Sequence, residues 1–360
     1  MERFSCTTTI ISGAGALEAL GEMDIRRLLL VADPFFVKNG VADRAAKLSG
    51  AETVTVFSNI SPDPSVELAA EGTAVVRQAQ PDTIVALGGG SCMDCAKAMA
   101  YFAGQDIPLV AVPTTSGSGS EVTDFAILTH EQVKHPLVDE KLRPKVAILD
   151  SDLLGDLPAG LGADAGFDVL SHAAEAYVAK NAGAVTDALA SAAFTAAFAA
   201  LPASFAGNKA VRLQVHQAAT MAGMAFTQAG LGLCHALAHS LGGVFHIPHG
   251  RLNAILLPAV IECNSHVAME KYAKLARCAG LGASSDTMAV RNLKNGLLRL
   301  RKELQLPQTL AQAGISPQQV RHHAKEITQA ALKDPCCGTN PMGAEDFMIR
   351  RILEEVTGRA

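Results

Sequence analysis

The feature that most restricts the fold of this chain is an alternation of short apolar runs with helical segments up to about residue 157. The apolar runs are mostly uninterrupted, as expected of parallel strands that are buried on both faces. The predicted strands are residues 28–31, 53–57, 83–87, 108–112 and 146–149. Helical patterns such as Val66 to Gln80 lie between them. The alternation predicts an open α/β sheet, which binds ligands at the carboxyl ends of its strands.

After Pro158 the pattern changes to long Ala- and Leu-rich segments with helical spacing. The turn residues 157–162 mark the boundary, so we predict an α/β domain over residues 1–157 and an all-α domain over residues 158–360. The cleft between two such domains is the expected place for chemistry. The uncharged stretch from Ala188 to Asn208 could suggest a membrane span, but its Ala, Ser and Thr content and Pro202 favour a helix buried on all sides.

The charge, the first residues and the cysteines of the chain indicate its partners, its location and the state of its thiols. The formal net charge is -5, and the Lys and Arg residues are scattered, so a nucleic-acid partner is not expected. The first residues show no export signal, which predicts a cytoplasmic protein. The eight cysteines follow no regular framework, which indicates reduced thiols. For the pair Cys92 and Cys95 we favour packing over a redox role, and we expect Cys336 and Cys337 to be free thiols.

Two loops carry a phosphate-binding signal. Gly88, Gly89, Gly90 and Ser91 follow the run 83–87 and precede a helical segment, so backbone amides and a helix amino terminus can contact a pyrophosphate. The next run is followed by residues 113–120, whose hydroxyls can bind phosphate, ribose or nicotinamide amide; among them are Thr114, Thr115 and Ser118. A plain tight turn is the alternative for the glycines. Together the loops favour an anionic dinucleotide.

Asp33 bears on which dinucleotide is bound. It ends the predicted strand 28–31, where a carboxylate can accept hydrogen bonds from the adenosine ribose and repel a 2′-phosphate. That position favours NAD over NADP. The alternative is an acidic residue in an exposed turn before Pro34.

The second half of the chain gathers an aspartate and several histidines among Ala, Leu and Gly residues. Asp168 and His172 are four residues apart, as are His235 and His239, and His249 follows past a turn. Imidazoles buried together need compensation, which a divalent cation supplies; a solvated helix face is the alternative for a single pair. Three imidazoles and a carboxylate suit Fe²⁺ or Zn²⁺. Chain order favours His239 as the residue that does not bind the metal, but spacing alone leaves that choice open.

These residues resemble the iron-containing (group III) alcohol dehydrogenase family over nearly the whole chain. The motifs are Gly88-Gly89-Gly90-Ser91-x-x-Asp94-x-x-Lys97, Pro113-Thr114-Thr115-Ser116-Gly117-x-Gly119-Ser120-Glu121-Val122-Thr123, Asp168-x-x-x-His172, and His235-x-x-x-His239 with Pro248-His249-Gly250. Residues 221–233 add a likeness to the propanol dehydrogenases of bacterial microcompartments. One departure is Met342, which stands where the family commonly has Arg.

The resemblance implies a Rossmann-like amino-terminal domain that binds NAD and an all-α carboxyl-terminal domain that binds metal and substrate. The residues that match the family's metal ligands are Asp168, His172, His235 and His249. His239 matches a histidine beside the substrate and nicotinamide, and Phe226 matches an aromatic residue of the pocket. Asp33 matches the acid associated with NAD preference, and Asp94 belongs to the cofactor motif.

The implied activity is metal-dependent, NAD(H)-linked interconversion of short primary alcohols and aldehydes, of the propanol or ethanol type, with the metal as Lewis acid. One alternative is a lyase of the dehydroquinate synthase type, whose anionic substrate needs several basic residues where this chain offers Arg251 and little else. A non-catalytic NAD-binding protein is another. We expect a homo-oligomer without membrane partners, and the resemblance adds microcompartment lumen or shell proteins as partners.

Overall fold

The computed structural model of the chain describes residues 4–131, 133–155 and 157–358. They divide into two compact units. One unit is Ser5–Leu157, and the other comprises the residues from Pro158 onward together with Phe4. The amino-terminal unit combines strands and helices, whereas the regular elements described from Pro158 onward are all helical.

The amino-terminal unit is built on a parallel sheet. Its described strands are β1 Thr9–Gly13, β2 Arg27–Ala32, β3 Thr53–Phe57, β4 Thr83–Gly88, β5 Leu109–Pro113, β6 Phe125–His130, β7 Val133–Val138 and β8 Val146–Asp150. Its α-helices are α1 Pro34–Lys38, α2 Val41–Leu48, α3 Val66–Ala79 and α4 Gly90–Ala103. The parallel sheet has the order β1-β8-β5-β4-β2-β3, and β6 pairs with β7 as an antiparallel hairpin. The five predicted strands are confirmed.

Side chains of the central strands are buried on both faces of the sheet, because successive residues of a strand point in opposite directions. Leu28 and Leu30 of β2 share a core cluster with residues of α1 and α2. Leu29 and Val31 share a second cluster with residues of α3 and α4. Helices therefore cover both faces, which explains the continuous apolar runs.

The strand order reverses at β2. From β2 the chain forms β3 on one side and then returns to form β4 on the other side. In open α/β sheets, ligands bind beyond the carboxyl ends of the strands at such a reversal. Ala32 is in register with Leu87, so Asp33 and Gly88 follow them side by side.

The carboxyl-terminal unit is a helical assembly around α5. Its α-helices are α5 Ala159–Val178, α6 Ala184–Phe205, α7 Arg212–Ala229, α8 Leu233–Phe245, α9 His249–Cys278, α10 Asp286–Glu303, α11 Pro317–Lys333, α12 Pro335–Thr339 and α13 Asp346–Thr357. Nearly all of α5 after its first turn is buried, and it packs against α6, α7 and α9. This central position explains its lack of a polar face.

The expectation that the uncharged helix is buried on all sides is wrong. The buried positions of α6 recur every three or four residues and include Thr186, Ala190, Phe194 and Ala197, so the helix has one buried face. Small Ala and Ser residues on the other face cost little when exposed. By length and composition α6 and α9 could each cross a membrane, but buried core helices pass the same test, and 72% of the apolar window of α9 is buried.

The cysteines are all free thiols, as predicted. Cys92 and Cys95 lie in the core cluster between the sheet and α4, which confirms the packing interpretation. Burial raises the pKa of Cys95 to about 12, so its thiol is protonated at neutral pH.

Candidate cofactor and metal sites

The predicted phosphate loop leads into α4, and its glycines contact the second predicted loop. A Cβ atom on Gly89 would lie 3.3 Å from Oγ1 of Thr115, and one on Gly90 would lie 3.1 Å from Oγ of Ser118. Such close approach explains the glycines. Gly89 is also the N-cap of α4 and provides no side-chain cap, so the amide groups of this helix terminus suit an anion.

Asp33 lies beside these loops at the carboxyl end of β2. Its Cβ atom is 3.3 Å from the position that a Cβ on Gly88 would occupy. The N–H of Thr114 donates to the carbonyl oxygen of Gly88 at 3.0 Å. Ser91 contacts a different segment of the chain: its hydroxyl accepts a hydrogen bond from the backbone N–H of Asp63 at 3.3 Å. The ends of β2, β4 and β5 thus bring the predicted dinucleotide residues together.

Asp94 and Lys97, from the same motif, make internal contacts. The carboxylate of Asp94 accepts from Oγ of Ser120 at 2.8 Å and from the N–H of Ile127 at 3.2 Å. The ammonium group of Lys97 is buried and donates to Thr123 and to the carbonyl oxygen of Phe125. Burial lowers the pKa of Lys97 to about 8, although the charge of Asp94 opposes that shift. These contacts attach α4 to the second loop and to the hairpin.

The aspartate and histidines predicted to bind metal converge in the helical unit. Asp168 and His172 project from α5, His235 from α8, and His249 is the first residue of α9. The Nε2 atoms of His172, His235 and His249 lie 3.9, 3.7 and 3.5 Å from Oδ1 of Asp168. Three imidazole nitrogens and one carboxylate therefore converge. These four donor groups suit Fe²⁺ or Zn²⁺.

Asn253 provides a test of whether a metal fits. Its amide nitrogen lies 2.7 Å from Oδ1 of Asp168, 3.1 Å from Nε2 of His249 and 3.3 Å from Nε2 of His235. An amide group has two hydrogens and cannot satisfy three acceptors, which is what these atoms are once both imidazoles are neutral. A divalent cation accepts all of these lone pairs, so the donor set fits a metal. Asn253 was not predicted, although it lies four residues after His249 on the same helix face.

The charges in this cluster also suit a metal. Burial alone would raise the pKa of Asp168, but the neighbouring imidazoles, His172 foremost, hold it well below its usual range, so the group is a carboxylate at neutral pH. Desolvation lowers the pKa of His249 well below its ordinary value. The charge of Asp168 opposes this shift, and His239 adds to it. The neutral imidazole of His249 keeps a lone pair for a cation.

Glu175 orients His235. Oε2 of Glu175 lies 2.5 Å from Nδ1 of His235, and Oε1 accepts from the N–H of Cys234 at 2.7 Å. A carboxylate at Nδ1 holds the proton there and leaves Nε2 as the metal-binding atom. Burial lowers the pKa of His235, but its bonds to Asp168 and Glu175 outweigh burial and raise the pKa to about 9, so a metal ion that binds Nε2 replaces a proton there. Sequence reasoning missed Glu175, seven residues after Asp168 on one helix face.

His239 has a different partner. Its Nδ1 atom lies 2.8 Å from Oδ2 of Asp334, and its ring stacks on that of His249 with centroids 5.1 Å apart. Nε2 of His249 lies 3.5 Å from Oδ1 of Asp168, whereas the carboxylate that His239 contacts is that of Asp334, which agrees with a role outside the metal shell. Asp334 was not predicted. It lies 95 residues further along the chain, where no spacing connects it to His239.

The rings of the predicted metal ligands pack against one another and against Phe226. Phe226 stacks on His172 with ring centroids 4.4 Å apart, and His172 stacks on His235 at 4.5 Å. The rings of His235 and His249 lie 5.2 Å apart. Phe226, predicted to line the pocket, is buried and covers one face of a predicted ligand.

Gly250 lets α9 begin against α5. A Cβ atom at this position would lie 2.0 Å from the carbonyl oxygen of Asp164, so no other residue fits without moving the helix. The next residue, Arg251, forms an ion pair with Asp164 through Nη2 and Oδ2 at 2.9 Å. Because its guanidinium already binds a carboxylate, Arg251 does not support the alternative of an anionic lyase substrate.

Comparison with known proteins agrees with both halves of the chain. Residues 7–151 match the family model described as iron-containing alcohol dehydrogenase, and residues 162–357 match the carboxyl-terminal model of the Fe-containing alcohol dehydrogenase family. An NADPH-dependent butanol dehydrogenase of Clostridium saccharobutylicum is 38% identical, with 98% of this chain and 97% of that protein covered. A 1-propanol dehydrogenase of Citrobacter freundii is 37% identical, with 99% and 100% covered.

Solved structures show the same relation. A sulfoacetaldehyde reductase of Bifidobacterium kashiwanohense, solved in complex with NAD⁺, superposes with a TM-score of 0.91 at 26% identity, and both chains are covered completely. Its fold agrees with the α/β unit followed by a helical unit. The chain therefore belongs to the iron-containing alcohol dehydrogenase family and is an oxidoreductase of alcohols and aldehydes, with NAD and iron as the family's cofactors.

Proposed function

We propose that this protein interconverts a short primary alcohol and its aldehyde with NAD(H), at a metal held by Asp168, His172, His235 and His249. The observation that carries the proposal is the convergence of three Nε2 atoms within 3.9 Å of one carboxylate oxygen. When bound, the metal supplies a Lewis acid for the substrate oxygen. The domain from Pro158 onward is accordingly proposed as the metal-binding and substrate domain.

His239 is proposed to move the proton of the substrate. Because Asp334 accepts the hydrogen of Nδ1, Nε2 of the neutral ring carries the lone pair and can take a proton. Phe226 is proposed to exclude water and to hold His172 through their stacked rings. The proposed role of His239 rests on its contact with Asp334, and that of Phe226 on its contact with His172.

The amino-terminal domain is proposed to bind the dinucleotide, which supplies hydride transfer. The residues proposed to bind it are Asp33, Gly88, Gly89, Gly90, Ser91, Asp94, Thr114, Thr115 and Ser118. Asp33 is proposed to select NAD over NADP, although the butanol dehydrogenase relative is described as NADPH-dependent. A carboxylate at the end of β2 disfavours a 2′-phosphate by charge repulsion.

Propanol and ethanol are the proposed alcohols, with propionaldehyde and acetaldehyde as products. Similarity to a 1-propanol dehydrogenase over the full chain supports the first. We further propose that the protein is a homo-oligomer in the cytoplasm and is packaged with microcompartment lumen or shell proteins, on the resemblance of residues 221–233. Copurification with shell proteins tests the packaging.

The test is oxidation of NADH with a panel of C2 to C4 aldehydes, after reconstitution with Fe²⁺ or Zn²⁺ without oxygen. We expect turnover that requires metal and is lost in Asp168→Ala together with the metal. Full activity of Asp168→Ala with normal metal content would refute the ligand assignment. Failure of every aldehyde in a protein that binds both metal and NADH would refute the substrate class.

A further inference from the structure

A second group of metal-binding side chains lies next to the first. Nδ1 of His239, a carboxylate oxygen of Asp334 and Sγ of Cys336 lie within 4.8 Å of one another. All three residues are half-buried, whereas Asp168, His172 and His235 are buried. The second group shares no residue with the four proposed ligands of the catalytic metal.

The backbone holds this group in place. Asp334 is the N-cap of α12, and its Oδ1 accepts from the N–H of Cys336 at 2.8 Å. The other oxygen, Oδ2, is therefore directed to His239, at 2.8 Å from Nδ1. A single capping interaction thus fixes the carboxylate relative to the backbone of Cys336, which preorganises two of the three residues.

We propose that His239, Asp334 and Cys336 form a second cation site, which binds a zinc-type divalent ion and inhibits the enzyme. Imidazole, carboxylate and thiolate are the ligands of Zn²⁺, and three of them leave a fourth position for water. The thiolate disfavours Mg²⁺ and Ca²⁺, which prefer oxygen. On binding, the cation replaces the proton of the Cys336 thiol, and that proton passes to solvent.

Inhibition follows from the atom of His239 that the ion would take. A neutral imidazole bound through Nδ1 carries its hydrogen on Nε2, so Nε2 can donate a hydrogen bond but cannot accept a proton. The ion also removes the carboxylate of Asp334 from Nδ1. This consequence rests on the proposed role of His239, whereas the binding of the ion does not.

Binding is tested with Co²⁺ added to protein whose first site already holds one equivalent of metal. Only a site with a thiolate gives a sulfur-to-cobalt charge-transfer band, and the four proposed ligands of the first site include no cysteine. We expect the band in the wild type and its loss in Cys336→Ser. Cys337→Ser is the matched control, because Sγ of Cys337 donates to the carbonyl oxygen of Ala331 and lies outside the group.

Asp334→Asn provides a second variant, since the amide oxygen can still cap α12 while the charged ligand is gone. The proposal is overturned if the wild type shows no band, or if Cys336→Ser shows the wild-type band. In the activity assay, Zn²⁺ should inhibit the wild type and Cys337→Ser reversibly, and the inhibitory concentration should rise by about tenfold or more in Cys336→Ser. If the aldehyde assay fails altogether, the cobalt titration still decides whether the site exists.

Discussion

Glu175 and Asp334 each bind Nδ1 of one histidine, and the two histidines have different surroundings as a result. His235 directs Nε2 toward Asp168 and the proposed metal. His239 is 32% exposed and its Nδ1 is held by Asp334, which leaves Nε2 for a proton. The same kind of carboxylate–imidazole pair thus supports the proposed metal binding at His235 and the proposed proton transfer at His239.

We predict that His239→Ala keeps bound metal and NADH but loses rate. General acid–base assistance by a positioned imidazole is typically worth about 10²–10⁴-fold, so kcat should fall within that range and its pH profile should change. Metal analysis of the purified variant, beside kcat measurements, is the decisive experiment. A loss of metal in parallel with activity would make His239 a ligand.

Asp33→Asn should raise the use of NADPH relative to NADH by about tenfold. Like charges about 4 Å apart near a protein surface repel by roughly 1–4 kcal/mol, and the substitution removes that repulsion of a 2′-phosphate. Asn keeps an oxygen that can accept from the N–H of Phe35, as Oδ1 of Asp33 does at 2.8 Å, so the cap of α1 is retained. An unchanged ratio of kcat/KM for the two cofactors would argue against the role of Asp33.

Single residues differ in how far the sequence predicts their surroundings. The five candidates for metal binding were predicted from their apolar flanks and, for two pairs, from i, i+4 spacing, but the choice of four ligands came from the family resemblance. Glu175 could have been predicted from its helix face. Asp334 could not, because its contact with His239 depends on how α11 and α12 pack against α8. Spacing predicts contacts within a helix and is silent about contacts between distant helices.

At the scale of elements, the start of α9 determines whether His249 reaches the other ligands. We predict that Gly250→Ala displaces this helix end, because the new Cβ would lie 2.0 Å from the carbonyl oxygen of Asp164. Overpacking of this kind costs about 1–3 kcal/mol, and metal content should fall with it. The measurement is metal stoichiometry together with the free energy of unfolding.

Gly243→Ala in α8 is the matched control. No atom lies within 4 Å of its added Cβ, so metal should be retained and the helix stabilised by up to about 1 kcal/mol. If Gly250→Ala binds metal as well as Gly243→Ala does, the close approach of α9 and α5 does not govern the site.

A second element-scale prediction concerns Arg301, which compensates for a proline inside α9. Pro258 has no N–H, so the carbonyl oxygen of Ala254 lacks its helical donor. Nη1 of Arg301 donates to that oxygen at 2.9 Å and to the carbonyl oxygen of Ile255 at 3.1 Å. Arg301→Met should therefore lower the free energy of unfolding by about 1–3 kcal/mol in urea titrations.

Arg299→Met, an exposed change on the same helix, should stay within about 0.5 kcal/mol of the wild type. Equal effects of the two substitutions would show that the buried contacts of Arg301 do not stabilise α9. Loss of charge is the same in both variants, so the comparison isolates the buried contacts of Arg301, which are the two carbonyl bonds and a hydrogen bond from its Nε to Oε1 of Gln308 at 3.2 Å.

Most strands of the parallel sheet were predicted, whereas β1 and the hairpin were missed. The central strands appear as continuous apolar runs because helices cover both faces of the sheet. β1 was missed, since it is an edge strand whose residues are exposed or half-buried. The hairpin of β6 and β7 was missed as well: β6 begins with the short apolar run of residues 125–128, but Lys134, His135 and Pro136 interrupt the apolar residues of β7.

For the whole molecule, the change of sequence character near Pro158 coincides with the division of the structure into two units. The predicted dinucleotide residues lie in one unit and the predicted metal ligands in the other. We therefore predict that metal and NADH stabilise the protein through different residues. At a free metal concentration 100 times Kd, binding should contribute about 2.7 kcal/mol to stability.

Thermal unfolding with metal, with a chelator and with NADH measures both contributions. Chelation should lower Tm in the wild type and leave Asp168→Ala unchanged, whereas NADH should still raise Tm in that variant. A metal-dependent rise of Tm in Asp168→Ala equal to that of the wild type would place the metal elsewhere.

The stacked rings of Phe226, His172 and His235 bear on whether the chain folds before or after it binds metal. Rings that pack face to face are already ordered by their neighbours, so their rotational entropy is lost when the helices assemble. An arriving ion then meets ligands that need little rearrangement. Folding can be completed before metal is encountered, and the ion can be exchanged later without the chain unfolding.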